Sequence, residues 1–284
     1  MDNSAYQPPV AKLLQYGERR FVETWPDYVE ELHLKTVHIP ELIRMATDSD
    51  LNQADTESLE VWAPTHAWRA LGQLGAEAAV EPLLEMLDDL YDDWANEEIP
   101  IVISMIGPVS IPQIQQCLAD PNRSLYRRLG AITCLRRLHT RHPQARERCI
   151  DILIQQLAQF EKNDPTLNGF LVSGLCDLNA VERASEIERA FAAKLVDLSI
   201  MGDWDEAQVQ LGLKTRQEVP IRRFTPTKVL GPLSDVLDPE TLGLVTKALD
   251  PLSSSRRGKR QTQPQGFGVQ TSPKKRSKSK KKHR

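Results

Sequence analysis

One amphipathic stripe recurs along the chain at a nearly fixed interval, and that interval limits the fold more than any other feature. In "AWRALGQLGAEAAVEPLLEMLDDL" (67–90), Ala67, Ala70, Leu71 and Leu74 stand at i, i+3, i+4 and i+7. That is one face of an α-helix. Thirty-two residues on, Ile99, Val102, Ile103 and Ile106 repeat the pattern, and another 32 on stand Ala131, Cys134, Leu135 and Leu138. A step of 40 leads to Leu171, Gly174, Leu175 and Leu178. Trp62, Trp94 and Tyr126 keep the 32-residue step as well. The residue after each stripe is Gly75, Gly107, His139 or Asn179. These residue types are enriched in the left-handed backbone region where helices end, so each is read as a helix stop.

A second helix follows each stop. Val80, Leu83, Leu84 and Leu87 form its apolar face in the first unit, with Pro82 in the first turn, where a missing N–H costs little. The corresponding segments are expected to begin at Ile111, to span 143–160, and to span 181–192. Upstream, "HIPELIRMATD" (38–48) matches "AVEPLLEMLDD" (79–89), so the array is expected to open with a partial unit. A helix pair of this size cannot bury its apolar face alone, and neighbours must stack into a continuous core. The expected fold is all-α, an α-solenoid of about four to five helical hairpins. Trp62, Trp68, Trp94 and Tyr126 are expected to pack between units.

The pattern A-x-x-A-L-G-x-L-G-x-x-A-x-x-x-L-x-x-x-L, read from Ala67 to Leu87, resembles the short bacterial HEAT-like repeats of the phycobilisome-lyase type. The resemblance extends over roughly 39–198 and is clearest in the first two units. It implies a fold far more than an activity, because such repeats serve many unrelated functions. Two of those functions enter as alternatives through the resemblance: a phycobilin lyase or lyase-like chaperone, and a HEAT-like nucleic-acid-binding protein.

The expected organisation is an N-terminal helical segment over 1–36, the repeat array over 37–198 and a capping segment over 199–216. A linker over 217–252 follows, with one candidate docking helix at 239–249, and then a tail over 253–284. The tail holds twelve Lys and Arg and no acid, which leaves 24 basic and 39 acidic side chains in the preceding residues. An acidic body and a basic tail therefore hide inside a net charge of −3. The tail is too poor in apolar residues to fold and is read as disordered. Its cations Lys274, Lys275, Arg276, Lys278, Lys280, Lys281, Lys282 and Arg284 suit nucleic acid or another polyanion through counterion release. The acidic body argues against a nucleic-acid groove in the repeats themselves. Four cysteines without a CxxC pair, the absence of an apolar run long enough to span a membrane, and a polar start favour a cytoplasmic protein. In a eukaryote the basic string would also serve nuclear import.

Glu77, Glu81, Glu85 and Asp88 step along one side of the first unit's second helix. Second helices of solenoids commonly line the concave face, so this stripe, with Trp94 as an anchor, is the candidate surface for a protein partner. The acids around Trp94 (Asp88, Asp89, Asp92, Asp93, Glu97 and Glu98) otherwise read as a solvated loop. His139 and His142 form an HxxH pair without obvious third and fourth ligands, so neither a metal nor another cofactor is expected. No G-x-S-x-G, phosphate-cradling glycine loop or paired nucleophile is present, which turns the reading from an enzyme towards a scaffold.

Overall fold

Every element among the described residues is helical. The computed structural model describes residues 6–18, 25–88 and 93–219. The linker, the candidate helix at 239–249 and the basic tail lie outside them. In the N-terminal part, α1 (Tyr28–Glu31), α2 (Ile39–Ala46) and α3 (Ser49–Asn52) lead into the array. Four hairpins follow: α4 (Ala63–Gln73) with α5 (Val80–Glu85), α6 (Asp93–Ile106) with α7 (Ile111–Ala119), α8 (Leu125–Arg141) with α9 (Arg146–Leu157), and α10 (Pro165–Asp177) with α11 (Ala184–Ala192). The described chain closes with α12 (Leu198–Met201) and α13 (Trp204–Gln210).

Successive first helices α4, α6, α8 and α10 pack side by side, and the second helices α5, α7, α9 and α11 form a parallel row. At the two ends, α2 packs on α4, while α12 and α13 pack on α10. Every residue of the four stripes except Leu74 is buried. One apolar cluster runs through all the units from Tyr6 to Leu211, as expected where each hairpin depends on its neighbours. Each second helix is entered through a short 3₁₀ turn, at Glu77–Ala79, Pro108–Ser110, Pro143–Ala145 and Val181–Arg183. The turn Thr36–His38 leads into α2 in the same manner. Among the described residues no single helix is long and apolar enough to cross a membrane.

The stops at Gly75, Gly107 and Asn179 adopt positive φ angles of 61°, 96° and 50°. The first and last close their helices alike: the Ala76 amide donates to the Leu71 carbonyl at 3.1 Å, and the Ala180 amide to Leu175 at 3.0 Å. These are the six-to-one bonds of a helix ending on a left-handed residue. A Cβ at Gly75 would meet no atom within 4 Å, so Gly75→Ala tests backbone conformation alone. It is expected to cost about 1 kcal/mol, with Gly75→Asn costing less, because asparagine tolerates this region. Urea midpoints of the two variants check this; equal losses would refute it.

His139 is not a stop. Helix α8 runs past it to Arg141 and ends where the His142 amide donates to Leu138 at 2.7 Å. The reason is local: Pro143 forces His142 out of the helical region, and His142 sits at φ −128°, ψ 77°. The repeat-phased aromatics also divide. Trp62 and Trp94 meet edge-on with ring centroids 5.4 Å apart, and Trp68 is buried with its indole N–H on the Ala46 carbonyl at 3.0 Å. Tyr126 stands exposed at the third position.

Candidate functional site

Helix α5 and its flanking turns carry the acidic stripe. Glu77, Glu85 and Asp88 are exposed and Glu81 is half-buried. Residues entering α8 meet three of the four. Arg123 reaches Glu81 at 2.6 Å and Glu85 at 3.6 Å, and Arg127 pairs with Asp88 and approaches Glu85 at 3.9 Å. Ser124, the N-cap of α8, also donates to Asp88. Among the described residues Glu77 forms no ion pair of this kind. Exposed ion pairs contribute little stability each, but here they fix the stripe's direction relative to the third hairpin. The same device recurs further along. Arg146 donates to the Leu178 carbonyl at 2.9 Å, the Asn179 carbonyl at 2.6 Å and Glu182 at 2.8 Å. Arg183 returns the contact, to Asp151 at 2.6 Å. The Arg146 hydrogen bond holds the Glu182 carboxyl below its ordinary pKa.

Between α7 and α9 the second-helix surface dips into a small groove of about 90 Å³ lined by Gln115, Gln155 and Gln159 over Leu118 and Ile152. Exposed acids continue at Asp151 on α9, Glu182 in the turn before α11 and Glu188 on α11, interspersed with exposed Arg148 and Arg189. Trp94 belongs to α6 and is half-buried against Trp62, so the structure places it in a ring pair rather than on the stripe's own helix. The tail cations named above lie outside the described residues.

The HxxH histidines have separate surroundings. His142 Nε2 sits 2.9 Å from the Ser104 carbonyl at the end of α6. His139 Nδ1 is buried without a partner, and burial, then the nearby Arg146, lowers its pKa. Among the described residues no group of three or more His, Cys, Asp or Glu is arranged to hold a metal ion. All four cysteines are free and buried. Burial pushes Cys117 and Cys149 up to about 11 and Cys176 up to about 12, which disfavours the reactive thiolate.

Two features escaped sequence reading. The first is a buried ion pair. Glu98, which the sequence groups with solvated acids, is 7% exposed and faces Arg69, 2% exposed. The guanidinium grips it with two bonds, Nε to Oε2 at 2.8 Å and Nη2 to Oε1 at 2.5 Å. Burial opposes the charge on Arg69, yet the bonds to Glu98 hold its pKa above the ordinary value. The only sequence signal was position: Glu98 directly precedes the buried stripe residue Ile99.

The second is a cleft of about 610 Å³ at the C-terminal ends of α4, α6 and α8, walled by Trp25, Asp27 and Glu30 and closed by Gln73, Met105 and Arg141. Its wall is fastened from the repeats. Gln73 accepts the Tyr28 amide at 2.9 Å and donates to the Pro26 carbonyl at 2.7 Å. The Arg69 guanidinium lies 4.9 Å from the centroid of the Trp25 ring. None of these pairings is visible in sequence, because the partners lie more than forty residues apart.

Comparison with known proteins gives two matches. The model of a family described as a protein of unknown function, DUF1186, matches residues 84–228, just over half of the chain. The PBS lyase HEAT-like repeat matches residues 67–89, the first hairpin. No curated protein and no solved structure matches.

Proposed function

The chain belongs to the DUF1186 family, and from that membership and its HEAT-like repeats we propose that it is a non-catalytic scaffold whose second-helix surface grips a basic protein partner. The observation that carries this reading is the polarity of that surface. Glu77, Glu85, Asp88, Asp151, Glu182 and Glu188 are exposed along α5, α9 and α11 and their flanking turns, with amide side chains between them. Arginines pair with Glu85, Asp88, Asp151 and Glu182, so the acids left to attract positive charge and repel phosphate include Glu77 and Glu188. The arginine contacts to Glu81, Glu85 and Asp88 hold these acids in fixed positions, so a partner meets a preordered surface. The basic tail is a separate arm for nucleic acid or another polyanion. An arm that binds alongside the groove raises overall affinity through effective concentration.

Binding assays on the full chain and on a chain ending at Leu252, each with and without nuclease, separate the two elements. Protein partners held by the repeats are expected to survive tail removal and nuclease. They are expected to be lost from Glu77→Lys/Glu188→Lys, which reverses two exposed acids without touching the Arg123 and Arg127 pairs. Retention by that variant would refute the second-helix surface as the binding face. Loss of all partners with the tail or nuclease would reduce the function to polyanion attachment.

A further inference from the structure

The cleft beside Trp25 is chemically unlike the second-helix surface. Its volume of about 610 Å³ falls in the range of small-ligand sites, roughly 300–1,000 Å³. Its two charged walls have opposite signs. Asp27 and Glu30 belong to α1 and its N-cap, which packs on α4, whereas Arg141 ends α8, with α6 packed between α4 and α8; all three are exposed, and among the described residues no salt bridge within 4.0 Å joins Arg141 to either acid. Each wall therefore keeps its charge for a ligand. Trp25 stands in the chain just before Asp27, on the acidic side, and the flexible thioether of Met105 is on α6, between α4 and α8. Gln73 spends its amide on Pro26 and Tyr28, so it builds the wall instead of reading a ligand.

We propose that this cleft binds a basic residue that carries a free α-carboxylate, either a free amino acid or the last residue of a peptide. The cationic side chain lies against Trp25 and the carboxylates of Asp27 and Glu30, where ring and charges attract it together. The carboxylate faces Arg141, whose planar guanidinium suits it. A ligand with only one of these charges would leave a wall unanswered. A basic side chain also separates its charge from the α-carboxylate by several bonds, as two opposed walls require. The wall is preorganised by the Gln73 bonds and by Arg69 beneath Trp25, which lowers the cost of ordering it on binding.

Calorimetric titration of the full chain tests this with three probes: L-arginine, the tripeptide Ala-Ala-Arg, and the same tripeptide amidated at its C-terminus. Arginine or the free-acid tripeptide is expected to bind saturably, and the amide at least about tenfold more weakly, which is one unshielded charge contact at 1.4 kcal/mol per decade. Tighter binding of arginine than of the peptide assigns a free amino acid; the reverse assigns a peptide terminus. Asp27→Asn/Glu30→Gln is expected to weaken binding by about tenfold or more, and Asp27→Asn keeps the cap on α1. Arg141→Gln is expected to abolish the preference for acid over amide. All three positions are exposed, and thermal melts confirm that the variants remain folded. Absence of saturable binding by either free-acid probe would overturn the proposal. So would binding that ignores the amide or the three substitutions.

Discussion

Arg69→Leu is expected to destabilise the protein by about 3–5 kcal/mol, the cost of leaving one member of a buried ion pair without its partner. The residue abandoned is Glu98, which in the native protein accepts two bonds from the guanidinium. Glu98→Leu should cost a similar amount, because Arg69 then keeps its charge in the same buried place. The double variant Arg69→Leu/Glu98→Leu distinguishes a lost attraction from an uncompensated charge. Replacing a whole buried pair with apolar side chains is often neutral or stabilising, so the double variant should be more stable than either single one. Urea titrations followed by tryptophan fluorescence give the three values. Single losses below about 1 kcal/mol would show that the pair is hydrated in solution. A double variant that loses the sum of both single effects would show independent roles. The cleft adds a second consequence, since Arg69 also supports Trp25: the double variant, though stable, should bind the arginine probes more weakly than the native chain.

This pair marks where sequence reading stops. The helical stripes were legible because a period of 3.6 places Ala67, Ala70, Leu71 and Leu74 on one face whatever lies opposite. Gly75, Gly107 and Asn179 were legible because a left-handed stop is a property of one residue and its own backbone. His139 failed the same test because proline four residues later decides where α8 ends, and a histidine stop is a weaker signal than a proline boundary. The buried ion pair and the cleft were out of reach for a different reason. Arg69 meets Glu98 across 29 residues, and Gln73 meets Pro26 across 47. Apart from Glu98 standing directly before the stripe residue Ile99, nothing local distinguishes those side chains from surface ones. The acidic stripe occupies an intermediate position. Its i, i+4 spacing was readable, but the arginines that hold Glu81, Glu85 and Asp88 come from the entry of α8. Single-helix periodicity carries no information about such a partner.

At the other end of the array, Asn168→Ala is expected to cost about 2–3 kcal/mol, because three partly buried polar groups lose their partner at once. Asn168 is fully buried on α10. Its amide donates to the Phe160 carbonyl at 3.0 Å and to the Leu195 carbonyl at 2.8 Å, and its oxygen accepts from Asn163 at 2.9 Å. One side chain thus ties the loop after α9 to the chain entering α12. Repeat proteins distribute stability between neighbouring units, so the damage should be local. Amide exchange is expected to accelerate in α12 and α13 while α4 and α6 keep their protection. Asn168→Asp sharpens the test. It preserves the shape but turns a donor into a carboxylate that faces two carbonyl oxygens. Burial and those oxygens raise the pKa of the new acid above its unfolded value. Its penalty is therefore full at neutral pH and diminishes as pH falls through the raised folded-state pKa, where the protonated group again donates one bond. Measured against Asn168→Ala, the aspartate variant should be less stable near pH 7 and regain ground in mild acid. A constant difference between the two across that range would mean that the amide's two donated bonds are not what secures the end of the array.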